Sequence, residues 1–178
     1  GTLDPLATGL LILCTGRYTK KIAEIQEKKK TYIGELILGK TTPSYDLETP
    51  FDAHFPTQHI NEKMLISVVK KFIGKIDQTP PLYSALKVKG ERLYNKARRG
   101  EKVKIPSRKV EITSFKLTNI LLPKIQFEIV CSKGTYIRSI AYDFGKKVDS
   151  GAYLSSLKRT RIGEYMLNNS FEINDLLN

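Results

Sequence analysis

Asp4 stands directly before Pro5 in the stretch Gly1-Thr2-Leu3-Asp4-Pro5-Leu6-Ala7-Thr8-Gly9, with no basic neighbour to hold its charge. By pattern alone an Asp–Pro pair is a turn element. A carboxylate there does chemistry only if the fold brings a distant partner to it. Three further stretches set an aromatic ring beside a cation. Tyr32 follows Lys28-Lys29-Lys30, Tyr136-Ile137-Arg138 follows Lys133-Gly134, and Tyr83 lies within Pro80-Pro81-Leu82-Tyr83-Ser84-Ala85-Leu86-Lys87. A ring can stack on an unstacked base while the adjacent cation holds phosphate, so the pairing suits RNA loops. Any one such pair is ordinarily a core tyrosine beside a solvated charge.

A fifth stretch matches a known motif and fails on context. Gly34-Glu35-Leu36-Ile37-Leu38-Gly39-Lys40-Thr41 satisfies GxxxxGK[ST] letter for letter. A phosphate-cradling loop needs a buried strand before it and a helix after it. Here Leu36-Ile37-Leu38 are themselves strand formers, and Pro43 falls where helical N–H groups would be in use. Nucleotide hydrolysis is therefore rejected. His54 and His59 are too isolated to form a metal cluster and read as surface positions near Pro56. Cys14 and Cys131 form no CxxC pair, which argues against zinc and for a reducing compartment.

The elements that must position these residues are legible from periodicity. Leu10–Cys14 is an apolar run closed by Thr15-Gly16 and predicts a buried strand. Tyr18, Ile22 and Ile25 predict an amphipathic helix over Arg17–Gln26, and Tyr32–Leu38 predicts a strand. Met64, Leu65, Val68, Val69 and Phe72 share one helical face over Asn61–Phe72, ended by Gly74. Gln78-Thr79-Pro80-Pro81 excludes regular structure, since each proline lacks a donor and restricts its predecessor. Arg108–Leu121 and Lys124–Cys131 predict two strands joined at Leu122-Pro123. A helix over Tyr136–Val148 and a strand pair over Tyr153–Tyr165, turning at Gly163, complete the chain. Helices and strands alternate without βαβ regularity, which predicts an α+β fold with a largely antiparallel central sheet and flanking helices.

The 178 residues carry 30 Lys+Arg against 18 Asp+Glu, a formal net charge of +12, with 40% hydrophobic and 27% charged residues. These values describe a globular chain of one domain and exclude disorder, coiled coil and collagen. No apolar run approaches the ~20 residues of a membrane span. The positive excess calls for a polyanionic partner. The chain opens inside a turn motif without an initiator Met, which predicts residues ahead of Gly1.

Taken in order, these segments resemble one family across nearly the whole chain: the TruB-type tRNA pseudouridine synthases. The carrying residues are Gly1–Gly9, Lys30-Thr31-Tyr32 with Leu38-Gly39, Thr41 to Asp46, and Gln78–Lys87. Gly90–Tyr94, Ala97–Gly100, Lys133–Ile140 with Asp143-Phe144-Gly145, and Leu157-Lys158-Arg159 continue the pattern. The resemblance implies a pseudouridine-synthase-like catalytic domain over residues 1–178 that isomerises uridine 55 in the T-arm loop of tRNA. It makes Asp4 the catalytic aspartate, Tyr32 the tyrosine that stacks on the flipped base and assists proton transfer, and Arg138 the partner of the carboxylate. Tyr136, Leu157 and Lys30 are implied in substrate binding. Desolvation in such a pocket works against an ionised Asp4, and an adjacent Arg138 favours it. No cofactor and no metal are implied, the partner is the tRNA T-arm stem-loop with no membrane, and a cytoplasmic monomer is expected. The family's histidine before the position of Gly1, its upstream Lys-Pro segment and the C-terminal PUA domain of some members have no counterpart in this sequence. Lys40-Thr41-Thr42-Pro43-Ser44-Tyr45-Asp46 also departs from the Thr-Asp-Thr core of many members.

Overall fold

The computed structural model describes residues 2–88, 90–101 and 103–176, so Gly1 of the Asp4 motif lies outside the described residues. In chain order its strands are β1 (Thr8–Gly9), β2 (Lys30–Leu38), β3 (Lys40–Thr41), β4 (Ala53–His54), β5 (Gly74–Gln78), β6 (Lys87–Val88), β7 (Glu91–Arg92), β8 (Arg108–Leu121), β9 (Lys124–Cys131), β10 (Ala152–Ile162) and β11 (Tyr165–Met166). Its α-helices are α1 (Ile22–Glu27), α2 (Glu62–Lys70), α3 (Leu93–Arg98) and α4 (Ile137–Lys147).

Alternation builds the sheet. Along β9, Ile125, Phe127, Ile129 and Cys131 are buried while Lys124 and Gln126 face water. Their period of two makes one apolar face and one wet face. The main sheet runs β1-β10-β2-β9-β8-β5, with β11 folded back on β10. Every pairing is antiparallel except β1 on β10. The apolar face is covered by α2 and α4, and Phe72, Phe115, Phe127 and Phe144 interlock there with ring centroids 5.8–6.1 Å apart. Truncating a fully buried ring such as Phe144 typically costs about 3–5 kcal/mol. The polar Asn61 caps α2, its side chain accepting the Met64 N–H at 3.1 Å. The start of β10 runs so close to α4 that a Cβ at Gly145 would lie 2.3 Å from the Ala152 nitrogen.

Two expectations are corrected. Leu10–Cys14 keeps a strand's alternation, with Leu10, Ile12 and Cys14 packed in a small cluster with Ile25 and Ile162, and Leu11 and Leu13 exposed. Among the described residues it forms no ladder beyond β1; Leu10 is tied to the neighbouring strand by its N–H on the Arg159 carbonyl and by Arg159 Nε on its own carbonyl, 2.8 Å each. The Arg17–Gln26 helix begins as a 3₁₀ segment, Gly16–Lys21, and turns α-helical only at Ile22. Three residues per turn rotate Tyr18 away from the face that buries Ile25. The GxxxxGK[ST] match runs from β2 into β3 and is flanked by strands on both sides along Gly34–Ile37, so its inner residues form a strand and not a loop.

Candidate active site

Asp4 opens a β-turn: its carbonyl accepts the Ala7 N–H at 2.9 Å, with Pro5 at the position whose fixed φ suits the bend. The turn delivers the chain into β1, which lies along β10 with Thr8 opposite Lys158. Gly9, at φ +100°, allows this approach; a Cβ there would stand 2.3 Å from the Arg159 carbonyl oxygen.

Arg138 reaches Asp4 from the first turn of α4, across 134 residues of sequence. Its Nε donates to Asp4 Oδ2 at 2.8 Å and its Nη2 to Oδ1 at 2.9 Å. This two-pronged pairing fixes the carboxylate plane as well as its position. The guanidinium is 3% exposed, whereas the Asp4 side chain is 34% exposed. Its third nitrogen donates to the Ser44 carbonyl at 3.2 Å and lies 3.6 Å from Asp46 Oδ2. The loop carrying those acceptors is itself tied down. Thr42 Oγ1 donates to the Asp46 carbonyl at 2.6 Å, and Asp46 Oδ1 accepts the Glu48 N–H at 3.0 Å.

Asp4 lies on the wall of a cavity of about 400 Å³, a volume suited to a small ligand or a nucleotide. Tyr32, Lys30, Tyr136 and Leu157 line the same cavity. Five of the six residues singled out by the sequence thus share one pocket, and Arg138 stands behind it, on a smaller recess with Asp4 and Asp46. Burial raises the Tyr32 hydroxyl above its ordinary value, helped by Cys131 and Asp4 and opposed by the Arg159 guanidinium bonded to it. Tyr32 therefore holds its proton at neutral pH and presents a hydrogen-bond donor. Lys30 is 6% exposed and spends two of its three donors on the carbonyls of Gln26 and Lys28. Burial, with Arg159 nearby, lowers its pKa. Its role at this wall is to hold α1 against β2 as well as to add charge.

Sequence reasoning gave no role to Arg159, Arg108, Gln78 or Asp46. Arg159 is 2% exposed and lines the cavity with Arg108 and Lys133, so the pocket is cationic around one carboxylate. Strand period offered a signal for it: on β10, Leu157 and Arg159 point to one side and Lys158 to the other. The remaining three depend on approaches between distant strands and loops, which no local pattern reports.

The sequence also matches a family model. Residues 1–137 fit the TruB family pseudouridylate synthase, N-terminal domain. The chain is 58% identical over 173 residues to tRNA pseudouridine synthase B of Flavobacterium johnsoniae, covering 97% of this chain and 76% of that protein. It is 52% identical over 180 residues to tRNA pseudouridine synthase B of Parabacteroides distasonis, covering 99% of this chain and 77% of that one. Among solved structures, a crystal structure of a Cbf5-Nop10-Gar1 complex superposes over 99% of this chain with a TM-score of 0.71 and 25% identity. The chain spans 44% of the length of that structure's matching chain. An archaeal box H/ACA Nop10-Cbf5 complex shares the fold at a TM-score of 0.63 and 22% identity.

Proposed function

The chain belongs to the TruB family of pseudouridylate synthases, and from that premise we propose that it is a catalytic domain that converts a uridine of tRNA, uridine 55 of the T-arm loop, to pseudouridine. The observation that carries this reading is the two-pronged Arg138–Asp4 pair at the wall of a cationic cavity shared with Tyr32, Tyr136 and Leu157.

The reaction breaks the bond between N1 of uracil and C1′ of ribose, turns the base, and joins C5 to C1′. C5 gives up a proton and N1 gains one, so product and substrate have the same atoms and no redox partner is needed. A uridine inside a folded loop must first leave its stack, at a cost of a few kcal/mol. Stacking against Tyr32 offsets about 1–3 kcal/mol of that, and Lys133, exposed at the rim, holds a flanking phosphate. Asp4 is the nucleophile, attacking either C1′ of the ribose or C6 of the base. Both routes start from a carboxylate aimed into the pocket, and the paired hydrogen bonds from Arg138 support that aim. Tyr32 contributes a stacking face and a protonated hydroxyl beside the reacting base.

Pseudouridine formation in an unmodified T-arm transcript tests the reading, with the parent protein beside its Asp4→Asn form and no cofactor added. Product from the parent and none from Asp4→Asn, with RNA binding nearly intact, is the expected result. RNA bound by both forms with no product from either would reduce the site to a binding surface and Asp4 to a turn residue.

A further inference from the structure

Gln78 and Arg108 are register partners at the end of the β5–β8 ladder. Both reach across to the same residue, Tyr136. The Gln78 side chain, 1% exposed, accepts the Tyr136 N–H at 2.8 Å through Oε1 and donates to the Tyr136 carbonyl at 3.0 Å through Nε2. An amide can do this because one end accepts and the other donates; a carboxylate would set a second acceptor against the Tyr136 carbonyl, and an apolar chain would take away the acceptor of the Tyr136 N–H. The Arg108 guanidinium lies over the Tyr136 ring at 4.4 Å from its centroid and donates to the Gly134 carbonyl. Arg108 Nε is buried with no hydrogen-bond partner, and no carboxylate pairs with this side chain among the described residues. The ring and the Gly134 carbonyl are therefore what hold the guanidinium in place.

We propose that the Gln78–Arg108 cross-strand pair is a positioning clamp on Tyr136, fixing both the ring that walls the base pocket and the start of the helix that carries Arg138. The proposal rests on the functional reading above. Tyr136 is the residue directly ahead of α4, and its own side chain makes no capping bond. Gln78 supplies the acceptor that this helix start otherwise lacks. Ser139, one residue beyond Arg138, is pinned in the same way, donating to the Thr79 carbonyl at 2.8 Å. Arg108 takes one face of the ring, which leaves the other for a base. A planar guanidinium can stack and donate at once, whereas an ammonium acts as a point charge. Neither clamp residue touches reacting atoms in this scheme, so both act through Tyr136.

Single-turnover pseudouridine formation at saturating T-arm RNA, beside the dissociation constant and a thermal melt, tests the clamp. Arg108→Met and Gln78→Met should each slow the single turnover about tenfold or more, as a small misplacement of a positioning group does, while RNA affinity stays near the parent's. Gln78→Glu keeps the acceptor and loses the donor, and Arg108→Lys keeps the charge and loses the stack, so each should recover part of the rate. These two variants decide the matter if a methionine form fails to fold. In a Tyr136→Ala background Arg108→Met should have little further effect, since its partner ring is gone, whereas Gln78→Met, whose partner is the backbone of residue 136, should keep its effect. Amide exchange at Tyr136 should speed up in Gln78→Met. A full Arg108→Met loss persisting in Tyr136→Ala would overturn the clamp. So would a loss confined to affinity with the salt slope falling by about 0.7–0.9, which marks a phosphate contact. A parent active only with Asp4 intact, beside clamp variants at full rate, sinks the clamp and spares the functional reading. A parent that makes no pseudouridine overturns both.

Discussion

Two clusters in this molecule join a guanidinium to carboxylates by paired hydrogen bonds, and they sit in opposite surroundings. Around α3, Arg99 donates to Glu91 at 2.6 and 2.9 Å and to Glu101 at 2.7 Å, with Lys96 beside both acids. Arg99 is 50% exposed and its partners 35% and 42%. At the candidate active site Arg138 is 3% exposed and faces Asp4 and Asp46, with a backbone carbonyl on its third side. Geometry is shared, but consequence is not. Water screens the α3 cluster, and exposed pairs of this kind contribute little to stability. Burying Arg138 costs desolvation energy that only several well-placed acceptors can offset. The fold keeps this charge inside while leaving one of its acids open to a cavity. The position of Asp4 between two environments, gripped behind and wet in front, is what the α3 cluster lacks.

Substitutions at the two clusters separate these roles. Arg138→Met should have the largest effect, leaving Asp46 buried without its cation and Asp4 free to swing. We expect loss of measurable turnover and a stability loss of about 3 kcal/mol by denaturant unfolding, the low end for breaking a buried pair because Asp4 keeps contact with water. A variant that folds and turns over like the parent would erase the contrast. Asp46→Asn should come next. Its Oδ1 can still accept the Glu48 N–H, so it removes one charge from the cage and loses about 1–3 kcal/mol with partial activity. Equal damage from Asp46→Asn and Arg138→Met would make Asp46 and not Asp4 the main partner of the guanidinium. Arg99→Gln should have the smallest effect and leave turnover alone. Arg99 holds Glu91 down at about 2, well below its ordinary 4.5. The contribution of this pair is therefore complete above about pH 4.5 and lost as pH falls through about 2. Any melting difference between Arg99→Gln and the parent should vanish across that window and in 1 M salt. A difference that survives both would show the α3 cluster to be more than a screened surface pair.

The parts of the fold that sequence made legible are those governed by local period. The β8–β9 pair and the apolar face of α2 follow from alternation and from the 3.6-residue repeat, and Tyr136–Val148 became α4 within a residue of each end. Gly74–Gln78 was missed as a strand because Gly-Lys-Ile-Asp-Gln holds one apolar residue; its pairing with β8 and not its composition makes it β5. Leu10–Cys14 shows the opposite error, since a strand-like run does not form a ladder without a neighbour. At the site, Asp4, Tyr32 and Arg138 were legible only through motifs read in order, as nothing near Asp4 in sequence announces Arg138. Asp46 was read as part of a motif and given no role. Its position beneath Arg138 comes from the local turn at Thr42–Asp46 together with the bridge from Asp46 to Leu154, a long-range contact that no local pattern reports.

The span of the Asp4–Arg138 pair bears on how the protein is made. Asp4 leaves the ribosome 134 residues ahead of its partner, and the β10 stretch that steadies the Asp4 turn comes later still. During synthesis, at roughly 5–20 residues per second, the early turn waits for several seconds with its carboxylate unclaimed. No nascent chain short of β10 has a finished pocket. The pocket closes in one step, when β10 slots between β1 and β2, and a nascent chain that stops short of β10 lacks that wall.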